Sequence, residues 1–246
     1  MKMSRKVSTT KGLILKTEDY MENAKLVTLL TSSHGKLSCI AKGVNKKNSK
    51  MRSTIQPFVY GEFQLYKGKN LYTITQGKVL DYFSNIRTDL ERMYMGSYIL
   101  EVLERISIEE ENQDMFLLGL STLYVLDIKK AGKTVLLFFQ VKIVENIGIN
   151  PRLTLCQCGE ELGERVGFDI IEGCFLCEKC MLKGNLVYKV SKDNYKILKF
   201  LQNTSLKELD RLKLSETQAD SLFKLLTDFI EEQLELKLKT KKFLME

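Results

Sequence analysis

The sequence predicts an α+β protein of more than one domain: a small closed β-barrel first, then a helical part interrupted by a cysteine-rich segment. Three observations carry this. Between positions 10 and 80 lie five short runs rich in β-branched and aromatic residues, separated by turn signals. From Ser84 onward apolar residues recur at three-to-four spacing. Five of the six cysteines then fall between positions 156 and 180.

The five runs are Lys11–Lys16, Ala24–Thr31, Lys36–Ala41, Phe58–Tyr66 and Leu71–Leu80. Ser33-His34-Gly35, the stretch 42–52 and Lys67-Gly68-Lys69-Asn70 punctuate them. So many short strands with hairpin-like turns suit a closed barrel better than an open sheet, because closure removes unpaired edges. The five-stranded oligonucleotide-binding (OB) barrel is the leading candidate and an SH3-like barrel the alternative. Cys39 stands alone in the third run and reads as a buried, inert thiol. His34 is the only histidine and sits in a turn, which suits a structural role better than catalysis.

Helices are expected over Leu90–Ile106, Asn112–Lys129 and Lys133–Ile147. Ala131-Gly132 splits the last two, and Gly148 and Pro151 close the third. After the cysteines the helical period resumes over Ser191–Leu201 and Ser215–Leu238. In the last of these Leu222, Leu225, Leu226, Phe229, Ile230 and Leu234 form one apolar stripe, expected to pack in a core. The tail Lys237–Lys242 reads as a basic, frayed end.

Charge is distributed unevenly. Residues 1–80 hold 15 Lys+Arg against 4 Asp+Glu, whereas residues 81–246 hold 23 against 27. Residues 23–61 contain no acid at all. Lys42, Lys46, Lys47, Lys50 and Arg52 crowd into one Gly-, Asn- and Ser-containing stretch that reads as an exposed loop, with Lys36 nearby. Positive charge with no acid to pair it attracts a polyanion, and lysines on phosphates bind nucleic acid without reading its sequence. A solvated loop that serves only solubility is the competing reading. Tyr60, Tyr66 and Tyr72 are candidates for base stacking, with core packing the better expectation for at least one.

Several classes are excluded or weakened. No apolar run approaches the roughly 18–20 residues of a membrane span, and the polar start Met-Lys-Met-Ser-Arg-Lys is unlike an export signal. There is no G-x-x-x-x-G-K-[ST] phosphate loop and no G-x-G-x-x-G after a strand. A non-enzymatic protein is therefore expected.

The pair Cys177 and Cys180 has the C-x-x-C spacing that grips one ion from a tight knuckle, and a second pair about twenty residues away suits a zinc ribbon. Cys156, Cys158, Cys177 and Cys180 are the favoured ligands of one structural Zn²⁺, with Cys174 competing for the place of Cys156 because C-x-C is a tight bite. Four thiolates fill a tetrahedral shell and leave no position for a catalytic water, which weighs against a zinc hydrolase.

These residues together resemble the RecO family of bacterial recombination mediators. The resemblance covers most of the chain and is best at the N-terminus. It is carried by Lys11–Tyr20, Leu26–Thr31, His34–Leu37, Ala41–Gly43, Ser49–Arg52 and Gln56–Phe58. The cysteine segment is similar to the family's C-x-x-C-G … G-G-x-x-C-x-x-C module and departs from it twice. Leu155 stands where the first cysteine of the first pair is expected, and Cys174 stands where the second glycine is expected.

The resemblance implies an OB barrel over 1–80, a helical domain over 81–150 and 189–246, and a zinc module inserted over 151–188. It implies a cytoplasmic, nucleoid-associated DNA-repair protein without an active site or a membrane partner. Such proteins bind single- and double-stranded DNA and anneal complementary strands. With RecR they help load RecA onto strands coated by single-strand-binding protein. An RNA-binding or translation-associated protein, in which a basic barrel and a zinc ribbon also occur together, is the alternative.

Overall fold

The computed structural model describes residues 7–129, 132–149, 151, 156–163, 165–184 and 186–245. The N-terminal hexapeptide, Ala131 and Leu155, each used in the sequence reading, lie outside the described residues. The chain divides into two compact units, Met1–Ile128 and Lys129–Glu246.

In the first unit, β1 (Val7–Tyr20), β2 (Ala24–Thr31), β3 (Gly35–Lys42), β4 (Tyr60–Lys67) and β5 (Tyr72–Asp81) close a barrel in the order β1-β2-β3-β5-β4. β3 and β5 pair in parallel and every other pair is antiparallel. This is the OB arrangement. Closure depends on β1, which pairs with β4 over Val7–Leu13 and with β2 over Gly12–Tyr20. A register shift between Ile14 and Lys16 bends the strand from one partner to the other. β1 thus runs well beyond the expected Lys11–Lys16. Its polar ends, Ser8-Thr9-Thr10 and Thr17-Glu18-Asp19, contain β-favouring threonines but no apolar alternation, and pairing with β4 and β2 holds them in the sheet.

The barrel interior is Ile14, Val27, Leu29, Leu37, Cys39, Ala41, Val59, Phe63, Leu65 and Ile74, all essentially buried. Burial pushes the Cys39 thiol up to about 12, and the Glu109 charge adds to it, so this cysteine is inert as expected. Gly35 closes the β2–β3 turn with φ +66°, and a Cβ there would lie 2.1 Å from the Glu110 carbonyl oxygen. Only glycine meets both conditions. Thr31 Oγ1 accepts the His34 N–H at 3.0 Å, so His34 belongs to this turn.

Helices α1 (Ser84–Thr88), α2 (Leu90–Ile106) and α3 (Gln113–Ile128) complete the first unit. Asp89 caps α2 by accepting the Arg92 N–H at 3.0 Å. Asp127 accepts the Ile86 N–H at 2.9 Å and so ties α3 to α1.

The second unit holds α4 (Gly132–Asn146), the cysteine segment, α6 (Lys192–Asn203) and α7 (Glu216–Gln233). Within the cysteine segment, β6 (Arg165–Asp169), β7 (Cys174–Leu176) and β8 (Val187–Ser191) form a small sheet ordered β7-β6-β8, and α5 (Glu178–Met181) follows β7. α7 buries Leu222, Leu225, Leu226, Phe229 and Ile230, as the stripe predicts, while Leu234 is half-buried. Phe168 of β6 meets Phe229 of α7 edge-on at 5.3 Å, which packs the small sheet on this helix.

Two expectations about the C-terminal end are corrected. α7 stops at Gln233 rather than Leu238, because Glu235 takes φ +50° and breaks the helical path. The tail is not frayed. Leu238 and Leu244 are buried, and the buried carboxylate of Glu231 accepts the Leu238 N–H at 2.7 Å and the Lys241 ammonium at 2.6 Å.

Candidate nucleic-acid interface and metal centre

The β3–β4 connection is a chain of turns rather than a free loop. The N–H groups of Ser49, Thr54 and Ile55 donate to the carbonyls of Lys46, Met51 and Met51 at 3.1, 3.1 and 2.9 Å. Val44 and Ile55, 0% and 1% exposed, reach from it into the barrel and close that end of the core. With these two anchors buried, Lys42, Lys46, Lys47, Lys50 and Arg52 all face solvent. The Arg52 guanidinium also donates to the carbonyls of Asn45 and Lys46, both at 3.0 Å, and staples the segment across its width. The five cations are thus presented on a shaped surface.

Lys36 is placed apart from them. It is the second residue of β3 whereas Lys42 is the last, roughly 20 Å away at the usual strand rise. Its ammonium donates to the Glu104 carbonyl of α2 at 2.5 Å. The tyrosines are all half-buried. Tyr60 packs on Phe116 with centroids 6.3 Å apart, and the Lys67 ammonium sits 5.6 Å from the centre of the Tyr72 ring.

In the second unit the Sγ atoms of Cys156, Cys158, Cys177 and Cys180 all lie within 4.8 Å of one another. Two knuckles bring them together. In the first, Gly159 takes φ +84° and donates its N–H to Cys156 O at 2.9 Å. The second is the opening turn of α5, where the Cys180 and Met181 N–H groups donate to Cys177 O at 3.0 and 2.9 Å. Cys174 is buried in β7 beside this cluster.

Burial alone would raise the Cys156 thiol. Hydrogen bonds from the backbone of Cys158 and Cys177 and from their thiols outweigh it and bring Cys156 down to about 7. The contact with Cys158, then those with Cys156 and Cys177, pushes Cys180 up to about 12. Sulfur donors so close together suit a soft ion in a tetrahedral shell, and these four cysteines could hold one metal ion.

The barrel and the remainder of the chain each match a known protein family. A family model described as "Recombination protein O N terminal" matches residues 3–83, and one described as "Recombination protein O C terminal" matches residues 87–242. The chain belongs to the RecO family. It is 34% identical over 242 residues to the DNA repair protein RecO of Desulforamulus reducens, covering 97% of this chain and 94% of the relative. It is 34% identical over 222 residues to that of Clostridium perfringens, with 89% of each covered. Identity to that of Alkaliphilus metalliredigens is 30% over 224 residues, 90% of this chain and 91% of the relative.

One feature of this RecO-family chain escapes a reading of its sequence. Lys25 of β2, Arg52 of the basic segment and Arg87 of α1 converge on a single cleft of about 630 Å³ in the first unit. Arg87 donates to Tyr82 O at 2.7 Å and Pro57 O at 2.6 Å, so it also fixes the end of the β3–β4 connection. No local pattern links residues so far apart in sequence. Arg87 lies in the last turn of α1, a helix of five residues. No helix among the described residues is long and apolar enough to cross a membrane.

Proposed function

We propose that this chain is a non-enzymatic, DNA-binding mediator of recombinational repair. In this reading it binds single- and double-stranded DNA through the basic β3–β4 connection and anneals complementary strands. With RecR it helps load RecA onto DNA coated by single-strand-binding protein, in the bacterial cytoplasm at the nucleoid. The observation that carries the reading is the outward display of Lys42, Lys46, Lys47, Lys50 and Arg52 on a segment anchored by Val44 and Ile55.

Cations on phosphates release condensed counterions, which supplies affinity for any sequence. Annealing requires two polyanions to approach, and a dense basic surface screens their repulsion. The names of the relatives, each a DNA repair protein RecO, support a role in repair. The metal at Cys156, Cys158, Cys177 and Cys180 is in this reading one structural Zn²⁺. A shell filled by four sulfurs supplies folding free energy and offers no open position to a substrate.

The test is strand annealing with complementary oligodeoxynucleotides, alone and coated with single-strand-binding protein. The full chain is expected to accelerate duplex formation in both cases without added nucleotide. No acceleration, or tighter binding to RNA than to single-stranded DNA of matched sequence, overturns the reading.

A further inference from the structure

The cleft at the root of the basic segment has chemistry that phosphate contacts alone do not use. Its volume, about 630 Å³, falls within the range of small-molecule sites. One wall is apolar, formed with Phe58 and Met93, and the polar side is lined by Asn45 and Gln56, whose amide nitrogens donate to Asp19 Oδ1 at 3.4 Å and Arg52 O at 3.2 Å and keep a second N–H each. Arg52 and Arg87 line it too, and both donate to neutral oxygens: Arg52 to Asn45 O and Lys46 O, Arg87 to Tyr82 O, Pro57 O and Gln56 Oε1. Their charges are therefore held in place without being cancelled, and N–H groups remain for an anion.

Phe58 is built into this wall at a cost. It takes φ +66°, a conformation that a bulky side chain rarely adopts. Its N–H donates to Ile14 O at 3.1 Å, and its ring lies so close to α2 that a Cβ on Gly96 would come within 2.7 Å of it. The glycine lets the ring lie between the helix and the cleft.

We propose that the cleft holds one nucleotide unstacked from a bound single strand. The base lies against Phe58 and Met93, its edge faces the Asn45 and Gln56 carboxamides, and its phosphate meets Arg52 and Arg87. A carboxamide offers both a donor and an acceptor, so the pocket accepts more than one base. Continuity favours this occupant. Asn45 and Arg52 belong both to the cleft and to the basic segment, so a strand running along the lysines reaches the cleft mouth without a break. The inference rests on the reading that this segment binds DNA.

The experiment compares the full chain on a labelled oligodeoxynucleotide and on a strand of abasic tetrahydrofuran units of equal length and charge. The abasic strand is expected to bind about five-fold or more weakly, as loss of a stacked base implies, with the same dependence on salt. Met93→Glu places a negative charge on the half-exposed rim of the cleft and is expected to remove the difference between the strands. Met93→Leu, which keeps the apolar wall, is expected to retain it. Equal binding of both strands by the wild-type chain, with steep salt dependence, overturns the cleft assignment and leaves the basic segment standing. A strand difference that persists in Met93→Glu overturns it as well. Binding of a short acidic peptide that Met93→Glu abolishes, with both strands bound equally, would assign the cleft to a peptide instead. If neither strand binds at all, the DNA reading itself fails.

Discussion

The Sγ atoms of Cys158 and Cys177 stand 3.8 Å apart, one from each knuckle of the cysteine segment. That is about the edge of a tetrahedron whose corners lie ~2.3 Å from its centre, the Zn–S distance of a tetrathiolate site. Protein purified without chelator is expected to contain close to one zinc per chain by elemental analysis. A content near zero would refute the site. Structural zinc sites contribute apparent binding free energies of about 10–16 kcal/mol, so Cys177→Ser should cost far more than an ordinary surface change of about 0.5 kcal/mol. Thermal unfolding of that variant should begin earlier, and chelator should have the same effect on the wild type. DNA affinity should change less than stability.

A pH dependence follows from Glu231. Burial acts to raise its carboxyl. The Lys241 ammonium, the Leu238 N–H and the charge of Lys237 prevail and hold it below the ordinary value of 4.5. Because the folded value is the lower one, the stabilisation is present above the ordinary value and is lost as pH falls below it. Glu231→Gln keeps the shape and removes the charge. It is expected to cost about 1.5–3 kcal/mol, the range for hydrogen bonds to a charged group, and to flatten the acid limb of stability against pH. Chemical denaturation at pH 7 and near pH 4 checks both. Equal stability of variant and wild type at pH 7 would count against the carboxylate as the anchor of the tail.

A third prediction concerns Lys36. Its ammonium is engaged with the Glu104 carbonyl, so Lys36→Ala should cost about 0.5–1.5 kcal/mol of stability. It should alter the salt dependence of DNA binding by less than one phosphate contact. A loss of DNA affinity matching that of Lys46→Ala, with stability unchanged, would place Lys36 in the interface.

How legible these features are in the sequence depends on the range of the interactions that make them. β2 to β5 are legible within a residue or two, because alternating apolar residues and Gly-rich turns are local signals. The cysteine spacing is legible for the same reason, and the two knuckles do converge. The polar ends of β1 are not, since only partners on β2 and β4 make them strand. Val44 and Ile55 are isolated apolar residues with no period to mark them, so the basic segment reads as free when it is a plug. The tail escapes too, because what orders it is a buried carboxylate on the preceding helix. Lys25, Arg52 and Arg87 converge only through the closure of the barrel and the path of α1.

The last prediction tests the basic segment itself. Each phosphate contact on single-stranded DNA contributes about −0.7 to the slope of log affinity against log salt, so four or five contacts give about −3 to −3.5. Replacing Lys46, Lys47 and Lys50 together with Ala should flatten that slope by about 2 and weaken binding on all sequences alike. Folding should persist, because all three side chains are exposed and the anchors Val44 and Ile55 remain. Arg52→Ala should behave differently. It deletes one cation and also releases the carbonyls of Asn45 and Lys46, each held at 3.0 Å. Its slope should change by about 0.7, yet affinity should fall further than for Lys50→Ala, and amide exchange across the segment should quicken. If the triple variant keeps wild-type affinity and slope, the cations serve only solubility and the DNA site lies elsewhere. If Arg52→Ala matches Lys50→Ala in both affinity and amide exchange, the staple across the turns contributes nothing to binding.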